Sequence, residues 1–375
     1  MKVGLIVPGG VDRSGIERTI PIFLWLIERL TRWHEVHVFA LRQEPRPSTY
    51  QLLGATVHNI GLRPRRVRTL NAITREHARG RFDVLHAFWA VPQGVIGAAA
   101  ARALNVPLLL DVIGGDLADL ADLHYGNART RRGRAWLRFA VNTATRATTA
   151  SEFMQRLARA YGLELERLPL GIALDRWPCT PPRATRQDPA RLLHVGSINQ
   201  VKDQDTLLRA AQVLRDRGGK FQLDIVGLDT LDGRLQARAG ALGLHECSQF
   251  HGHVQHDRLT AFYQAADLLI VSSRHESGPI VAREAAVSGV PVVGTAVGFV
   301  ADWAPHAALT VPPADAGALA DAIMTVLSND PLRINLATEA QHIALREDAD
   351  WSAARVNQLY DEIKTTARRK SSLTA

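Results

Sequence analysis

The sequence predicts an α/β protein built on two parallel sheets, each covered by helices on both faces. Three observations lead there. The chain has 375 residues, too many for one ordinary core and suited to two domains of roughly 100–200 residues each. Short apolar, β-branched runs alternate with segments of helical period, as strands buried on both faces require. That alternation occurs twice, with a proline-rich break, WPCTPPRATRQDPAR at 177–191, between the two series.

In the first series the expected strands are 2–8 (KVGLIVP), 35–40 (EVHVFA), 56–60 (TVHNI), 83–88 (DVLHAF), 107–113 (PLLLDVI) and 146–151 (RATTAS). Helical-period segments such as 16–32 and 92–104 separate them. The second series is 192–198 (LLHVGSI), 221–227 (FQLDIVG), 249–254 (QFHGHV), 267–273 (DLLIVSS), 291–297 (PVVGTAV) and 308–312 (ALTVP). A last segment, 351–368, places Trp351, Val356, Leu359, Tyr360 and Ile363 at helical spacing. The expected division is a domain over 1–172, a linker over 173–190, a domain over 191–346, and a C-terminal helix within 347–375 that packs back on the first domain. Doubly wound sheets bind ligands at the carboxyl ends of their strands, so two facing domains would enclose a cleft.

Composition narrows the functional classes. With 46% hydrophobic and 22% charged residues and no low-complexity tract, the chain is neither disordered nor fibrous. Cys179 and Cys247 are far apart, and no Cys/His cluster has metal-ligand spacing, so neither a disulfide framework nor a structural zinc is expected. No long apolar leader or run of about 18 apolar residues occurs, which makes the cytoplasm the expected location.

The net charge is +8, but residues 1–170 hold 24 Lys+Arg against 14 Asp+Glu, leaving 21 against 23 for the rest. The excess sits in GLRPRRVRTL at 61–70 (Arg63, Arg65, Arg66, Arg68) and RTRRGRAWLRF around Arg131, Arg132, Arg134, Trp136 and Arg138. Such clusters are either solvated faces or a surface for anionic lipid or a phosphorylated acceptor. No nucleic-acid motif accompanies them, and no nucleic-acid partner is expected.

Three glycine-containing strand ends are candidate phosphate sites. In VPGGVDRSGIERT the first strand runs into Gly9-Gly10 and toward a helix expected near Ser14 to Ile16, where amides would converge, although such glycine pairs are also ordinary tight turns. In LLHVGSINQVKDQDTLLRAA, Gly196 ends a strand and Lys202 stands just before a helix starting near Asp203. A lysine there suits a diphosphate, unless it is simply solvated. The third is RHESGPIVAREAAVSGVPVV at 274–293. Pro279 reads as the first residue of a helix over about 279–288, with Gly278 or Ser277 as its N-cap. Glu276 then lies in the loop above the helix N-terminus, which the helix dipole alone would favour. Glu284 falls among Val281, Ala282, Ala285 and Ala286 on a buried helix, where a carboxylate needs a partner; sugar or ribose hydroxyls are suitable donors.

From LLHVGSINQVKDQDTLLRAA through FHGHVQHDRLTAFYQAADLLIVSSRHESGPIVAREAAVSGVPVVGT, the second half strongly resembles the GT-B-fold glycosyltransferases of family 4, which are retaining enzymes that use activated nucleotide sugars. Glu276 and Glu284 reproduce that family's pair of glutamates with seven residues between. The first half is similar to the same family's acceptor domain, in VPGG, FDVLHAFWAVPQG with His86, IGGDL with Asp116, TASEF with Ser151, and LPLGIALDRW. The resemblance implies two Rossmann-like domains. It also implies that Glu276 contacts the donor sugar, that Lys202 acts on the diphosphate, and that Glu284 holds the ribose. By the same resemblance Gly196, Ser197, Ser277, Gly278, Pro279 and Ile280 line the phosphates and sugar, the backbone of Gly252 to Val254 reads the base, and the Gly10 loop closes over the donor. His86 and Asp116 are acceptor-side candidates, with a core histidine and a cap as their other readings.

Three positions depart from the family pattern. Ser197 replaces a basic residue after the strand-end glycine, Ile113 stands where many relatives have histidine, and Pro279 replaces the glycine of a Phe-Gly pair and removes one amide donor. The expected activity is metal-independent, cofactor-free transfer of a sugar from a nucleotide diphosphate-sugar to a glycan or lipid-linked hydroxyl acceptor, as in polysaccharide or glycolipid assembly. The expected location is the cytoplasm, peripheral at the inner face of the membrane. A sugar-nucleotide epimerase of the same fold and a non-catalytic sugar-nucleotide-binding protein are the alternatives.

Overall fold

The computed structural model describes the backbone of residues 1–62 and 65–373 and the side chains as far as residue 366. Arg63, counted in the first basic cluster, lies outside the described residues. Two compact units form: Met1–Gly171 together with the chain from Ala349 onward, and Ile172–Asp348.

The first unit runs β1 (Lys2–Val7), α1 (Pro21–Leu30), β2 (Glu35–Ala40), β3 (Ser48–Leu52), β4 (Ala55–Asn59), α2 (Arg65–Arg79), β5 (Val84–Phe88), α3 (Val95–Leu104), β6 (Leu108–Asp111), α4 (Arg131–Thr143), β7 (Arg146–Thr149), α5 (Glu152–Ala160) and the short β8 (Glu166–Arg167). The sheet order is β3-β4-β2-β1-β5-β6-β7-β8. Every pairing is parallel except β3 with β4, a hairpin turned by Leu53 and Gly54 at φ 49° and 80°, the left-handed pair that a two-residue turn requires. β1 is central, pairing Val3 with both Val36 and Val84, and its apolar side chains are buried, which is why its sequence does not alternate.

The first expected helix starts later than Ser14. Asp12 accepts hydrogen bonds from the Ser14 amide and hydroxyl, and Ser14 Oγ accepts from the Ile16 and Glu17 amides. Gly15 and Arg18 also take positive φ. These local bonds outcompete a helix, which begins only at Pro21, a proline suited to the first helical position.

The second unit runs β9 (Ala190–Val195), α6 (Gln204–Asp216), β10 (Phe221–Val226), α7 (Arg234–Ala241), β11 (Ser248–Gly252), α8 (His256–Ala265), β12 (Leu268–Val271), α9 (Ile280–Val287), β13 (Val292–Thr295), α10 (Gly298–Trp303), β14 (Leu309–Val311), α11 (Ala316–Leu327) and α12 (Asp330–Arg346). Its sheet is wholly parallel in the order β11-β10-β9-β12-β13-β14. The order reverses between β9 and β12, the switch point at which doubly wound sheets bind ligands.

The segment expected as a linker is instead packed into this unit. Trp177 is buried and donates from Nε1 to Ser288 Oγ at 2.9 Å, Arg183 pairs with Asp267 at 3.2 Å, and the Arg333 guanidinium donates to the carbonyls of Arg183 and Ala184. A buried tryptophan, one ion pair and these hydrogen bonds outweigh the proline content that suggested a free connection. The chain closes with α13 (Ala349–Leu373), whose Ala353, Val356, Leu359, Tyr360 and Ile363 join the first unit's core beside Val3, Phe23 and Leu30. Arg29 on α1 and Asp350 are bonded at 2.8 Å across that packing.

Candidate functional site

The loops after β9 and β12 meet at the switch point of the second unit. β9 runs into Gly196, whose missing Cβ leaves room for the Lys202 stem; a Cβ there would lie 3.4 Å from Lys202 Cε. Gly227, at the end of β10, is a stricter case, because a Cβ would stand 1.9 Å from the Gly196 carbonyl oxygen. Asn199 Oδ1 accepts from the amides of Val201 and Lys202, each at 3.0 Å, and bends the loop back. Asp203, at φ 49°, then caps α6 by accepting from the Thr206 amide.

Beneath this loop His194 is fully buried. Its Nδ1 lies 3.0 Å from the Ile270 carbonyl and its Nε2 3.1 Å from Gln204 Nε2, so Nδ1 carries the proton and Nε2 accepts from the amide. Burial pushes its pKa down to about 4. Gln204 also donates to the Ser197 carbonyl at 3.1 Å, tying the exposed Ser197 turn to the strand.

Lys202 Nζ lies 2.5 Å from Glu276 Oε1, and Ser273 Oγ donates to the same oxygen at 2.7 Å. The lysine is 24% and the glutamate 15% exposed, so both remain in reach of a ligand. The fold thus joins a cation and a carboxylate that are 74 residues apart in sequence. Ser277 and Gly278 lead from Glu276 into α9. Pro279 is the N-cap rather than the first helical residue, one position later than expected, with φ −65° and ψ 111°. Its extended ψ puts Ile280 first in the helix. Gly298, which the sequence reading overlooked, supports this loop: a Cβ there would lie 2.8 Å from Pro279 Cδ and 3.2 Å from Glu276 Cβ.

Glu284 is almost closed off, at 2% exposed, and it has partners. His256 Nε2 lies 2.7 Å from Oε1, and Tyr263 Oη donates to Oε2 at 2.7 Å. Burial and the adjacent carboxylate hold the Tyr263 phenol well above its usual pKa, so it stays a donor. The sequence reading foresaw that Glu284 needs donors but not that α8 supplies two; the signal was His256 and Tyr263 at i and i+7 of one helix face. Next to Glu284, the buried Arg283 ties α9 down through Glu347 at 2.5 Å and lies over the Phe299 ring at 4.5 Å. Val254 is half-buried between β11 and α8, after Gly252 at φ 66°.

The remaining candidates lie in the first unit. Gly10, at φ 80°, ends the β1 loop and packs on Ile20, which a Cβ would meet at 2.5 Å. His86 is not open to an acceptor: it is fully buried, with Nδ1 at 2.7 Å from Tyr360 Oη and Nε2 at 3.0 Å from Asp111 Oδ2. It is a core histidine because α13 covers it. Asp116 is likewise fully buried, and it accepts from the amides of Ala90 (2.6 Å) and Ile113 (3.2 Å) and from Asn127 Nδ2 (3.0 Å). It is therefore a cap that holds the turn around Trp89, a residue forced to φ 71°. Burial raises the Asp116 pKa to about 7.

Of the basic clusters, Arg65, Arg66 and Arg68 open α2, while Arg131, Arg132, Arg134 and Arg138 lie on α4. The fold also gathers His37, His58 and Glu76, whose ligand-type atoms lie within 4.8 Å of one another. The Lys2 ammonium is 2.9 Å from Glu76 and 3.5 Å from Glu35, so it already takes the place of a cation beside them. No helix among the described residues is long and apolar enough to cross a membrane.

Comparisons with known proteins agree with this arrangement. The family model for glycosyl transferases group 1 matches residues 179–343, and that for the glycosyl transferase 4-like domain matches residues 15–171. The chain is 30% identical over 320 residues to a D-inositol 3-phosphate glycosyltransferase of Xylanimonas cellulosilytica, covering 78% of this chain and 74% of that one. It is 27% identical over 354 residues to a glycogen synthase of Mycobacterium tuberculosis, covering 89% and 82%. Among solved structures, a sucrose-phosphate synthase from Thermosynechococcus elongatus superposes with a TM-score of 0.84 at 20% identity, over 98% of this chain and all of that one. The Anabaena protein HepE in complex with UDP-glucose superposes with a TM-score of 0.73 at 19% identity, over 97% and 99%.

Proposed function

Because the chain belongs to the family 4 glycosyltransferases of GT-B fold, we propose that it transfers a sugar, with retention, from a nucleotide diphosphate-sugar held by the second unit to a hydroxyl acceptor held by the first. The observation that carries this reading is the Lys202–Glu276 pair at the switch point between β9 and β12. A reachable ammonium there neutralises the charge that develops on a departing diphosphate, and a reachable carboxylate accepts hydroxyls of the donor sugar.

In this proposal Glu284 accepts the ribose hydroxyls, and the amides of Ser277, Gly278 and Ile280 approach the phosphates and the sugar. Pro279 contributes no amide. Gly196 and Ser197 let the phosphates come close, and the Val254 backbone reads the base. Catalysis rests on positioning and on stabilisation of the leaving group, with no protein nucleophile and no metal. Complexes of HepE with UDP and with UDP-glucose support a nucleotide-sugar donor.

The acceptor is proposed to be lipid-linked or membrane-proximal, and the protein to sit at an anionic membrane surface. Leu62 and Val67 stand 51% and 58% exposed among Arg65, Arg66 and Arg68, which favours an interface where apolar and cationic groups act together. Thermal-shift screening against nucleotide diphosphate-sugars should find one donor that raises Tm. A matching transfer assay should give a product of unchanged anomeric configuration by 1H NMR, at a rate indifferent to EDTA. Inversion of configuration or loss of activity on chelation would count against the mechanism. Equal co-sedimentation with neutral and anionic vesicles at low salt would count against the membrane surface.

A further inference from the structure

The carboxylate proposed to hold the ribose does not stand alone. Helix α8 presents His256 at its first position and Tyr263 two turns later, about 10 Å along the axis. The two converge on Glu284 from either side, one on each oxygen, both at 2.7 Å. Behind them Trp177 packs on both rings, with centroids 4.9 Å from His256 and 5.4 Å from Tyr263.

A carboxylate offers about four lone-pair sites. Two are taken by α8, one per oxygen, which leaves one on each oxygen and fixes the plane of the group. That remainder matches a pair of vicinal hydroxyls, one donating to each oxygen. Glu284 is 2% exposed whereas His256 is 27% exposed, so the imidazole forms the reachable rim of an otherwise closed carboxylate. A hydroxyl arriving at Oε1 passes beside His256, while Tyr263 is fully buried and touches Glu284 from the core.

We infer that His256 and Tyr263 are positioning residues that clamp Glu284 and set the selectivity of the donor site for a ribose diol over a deoxyribose. This rests on the reading of Glu284 as the ribose-binding group. Without the clamp the carboxylate rotates freely, and the two hydroxyls lose their fixed acceptors. Affinity for the ribonucleotide then falls, while the deoxy analogue, which uses less of the carboxylate, loses little.

The test measures dissociation constants by calorimetry for UDP, GDP and ADP, each beside its 2′-deoxy and 3′-deoxy forms, with the full chain and its variants. The wild-type protein is expected to prefer the ribonucleotide by about tenfold or more. Tyr263→Phe, which keeps the ring and removes only the hydroxyl, and His256→Ala should each lower that preference at least about threefold, and His256→Gln should restore part of it. His256 is partly exposed at a helix start, so its variants keep the test open if Tyr263→Phe folds poorly. If Glu284→Gln abolishes the preference while His256→Ala and Tyr263→Phe leave it intact, the clamp is overturned and Glu284 acts unaided. If the wild-type protein shows no preference and Glu284→Gln changes nothing, the ribose reading fails and the clamp with it.

Discussion

The two units carry the same kind of doubly wound sheet, yet their switch points are chemically opposite. In the first unit the polar groups within β5 and at the turn just after it are consumed by the fold. Asp116 caps the Trp89 turn, and His86 is closed between Asp111 and Tyr360. In the second unit the loops after β9 and β12 keep Lys202 and Glu276 paired and partly exposed. A buried polar group is costly unless all its bonds are made, so it commits to structure. A charge left at the rim, with solvent on one side, remains available to a ligand. Burial therefore separates Asp116 and His86, whose loss should unfold the protein, from Lys202 and Glu276, whose loss should disable it. Glu284, buried but with one lone pair on each oxygen unclaimed by protein donors, falls between the two.

The largest effect should come from the first unit. Asp116→Ala leaves the Ala90 and Ile113 amides and the Asn127 amide unpaired in the core and should cost roughly 3–5 kcal/mol in urea unfolding. A loss below about 1 kcal/mol would erase the proposed contrast. The counterpart in the second unit is Lys202→Ala, expected to lower transfer about 10²–10³-fold with stability kept within about 1 kcal/mol. Near-normal turnover in a folded Lys202→Ala protein would break the comparison from the other side.

A smaller and graded effect tests the polar group buried beneath the second site. His194 is neutral in the fold, with a pKa near 4 against 6.5 when unfolded. Between those values the unfolded chain binds more protons, so stability is flat above about pH 7 and falls as pH drops from 6.5 toward 4, by up to about 3 kcal/mol. Urea midpoints measured at pH 7.5 and 5.0 should show that fall, and His194→Gln should flatten it. An equal acid sensitivity in the variant would assign the effect to other groups, His58 among them, whose pKa burial also lowers to about 4.

Much of this organisation was legible beforehand, because its causes are local. All twelve expected strands are present, since apolar β-branched runs and the residues that end them lie within a few positions of one another. The helix start near Asp203 was equally readable. Some misses were also local. The Asp12–Glu17 bonds displaced a helix start, Pro279 fell one position outside its helix, and β3 was missed because its turn puts Leu53, a residue with no turn preference, at positive φ.

The polar pairings are different. Lys202 meets Glu276 across 74 residues, Glu284 meets His256 across 28, and His86 meets Tyr360 across 274. No short pattern encodes such encounters, because the order of strands in a sheet and the seating of α13 bring them about. Residue type alone could mark His86, Asp116, Glu276 and Glu284 as groups in need of partners. Packing chose those partners, and with them which of the four are closed off and which stays partly exposed, because the order of strands and helices decides how much water is removed from each side chain.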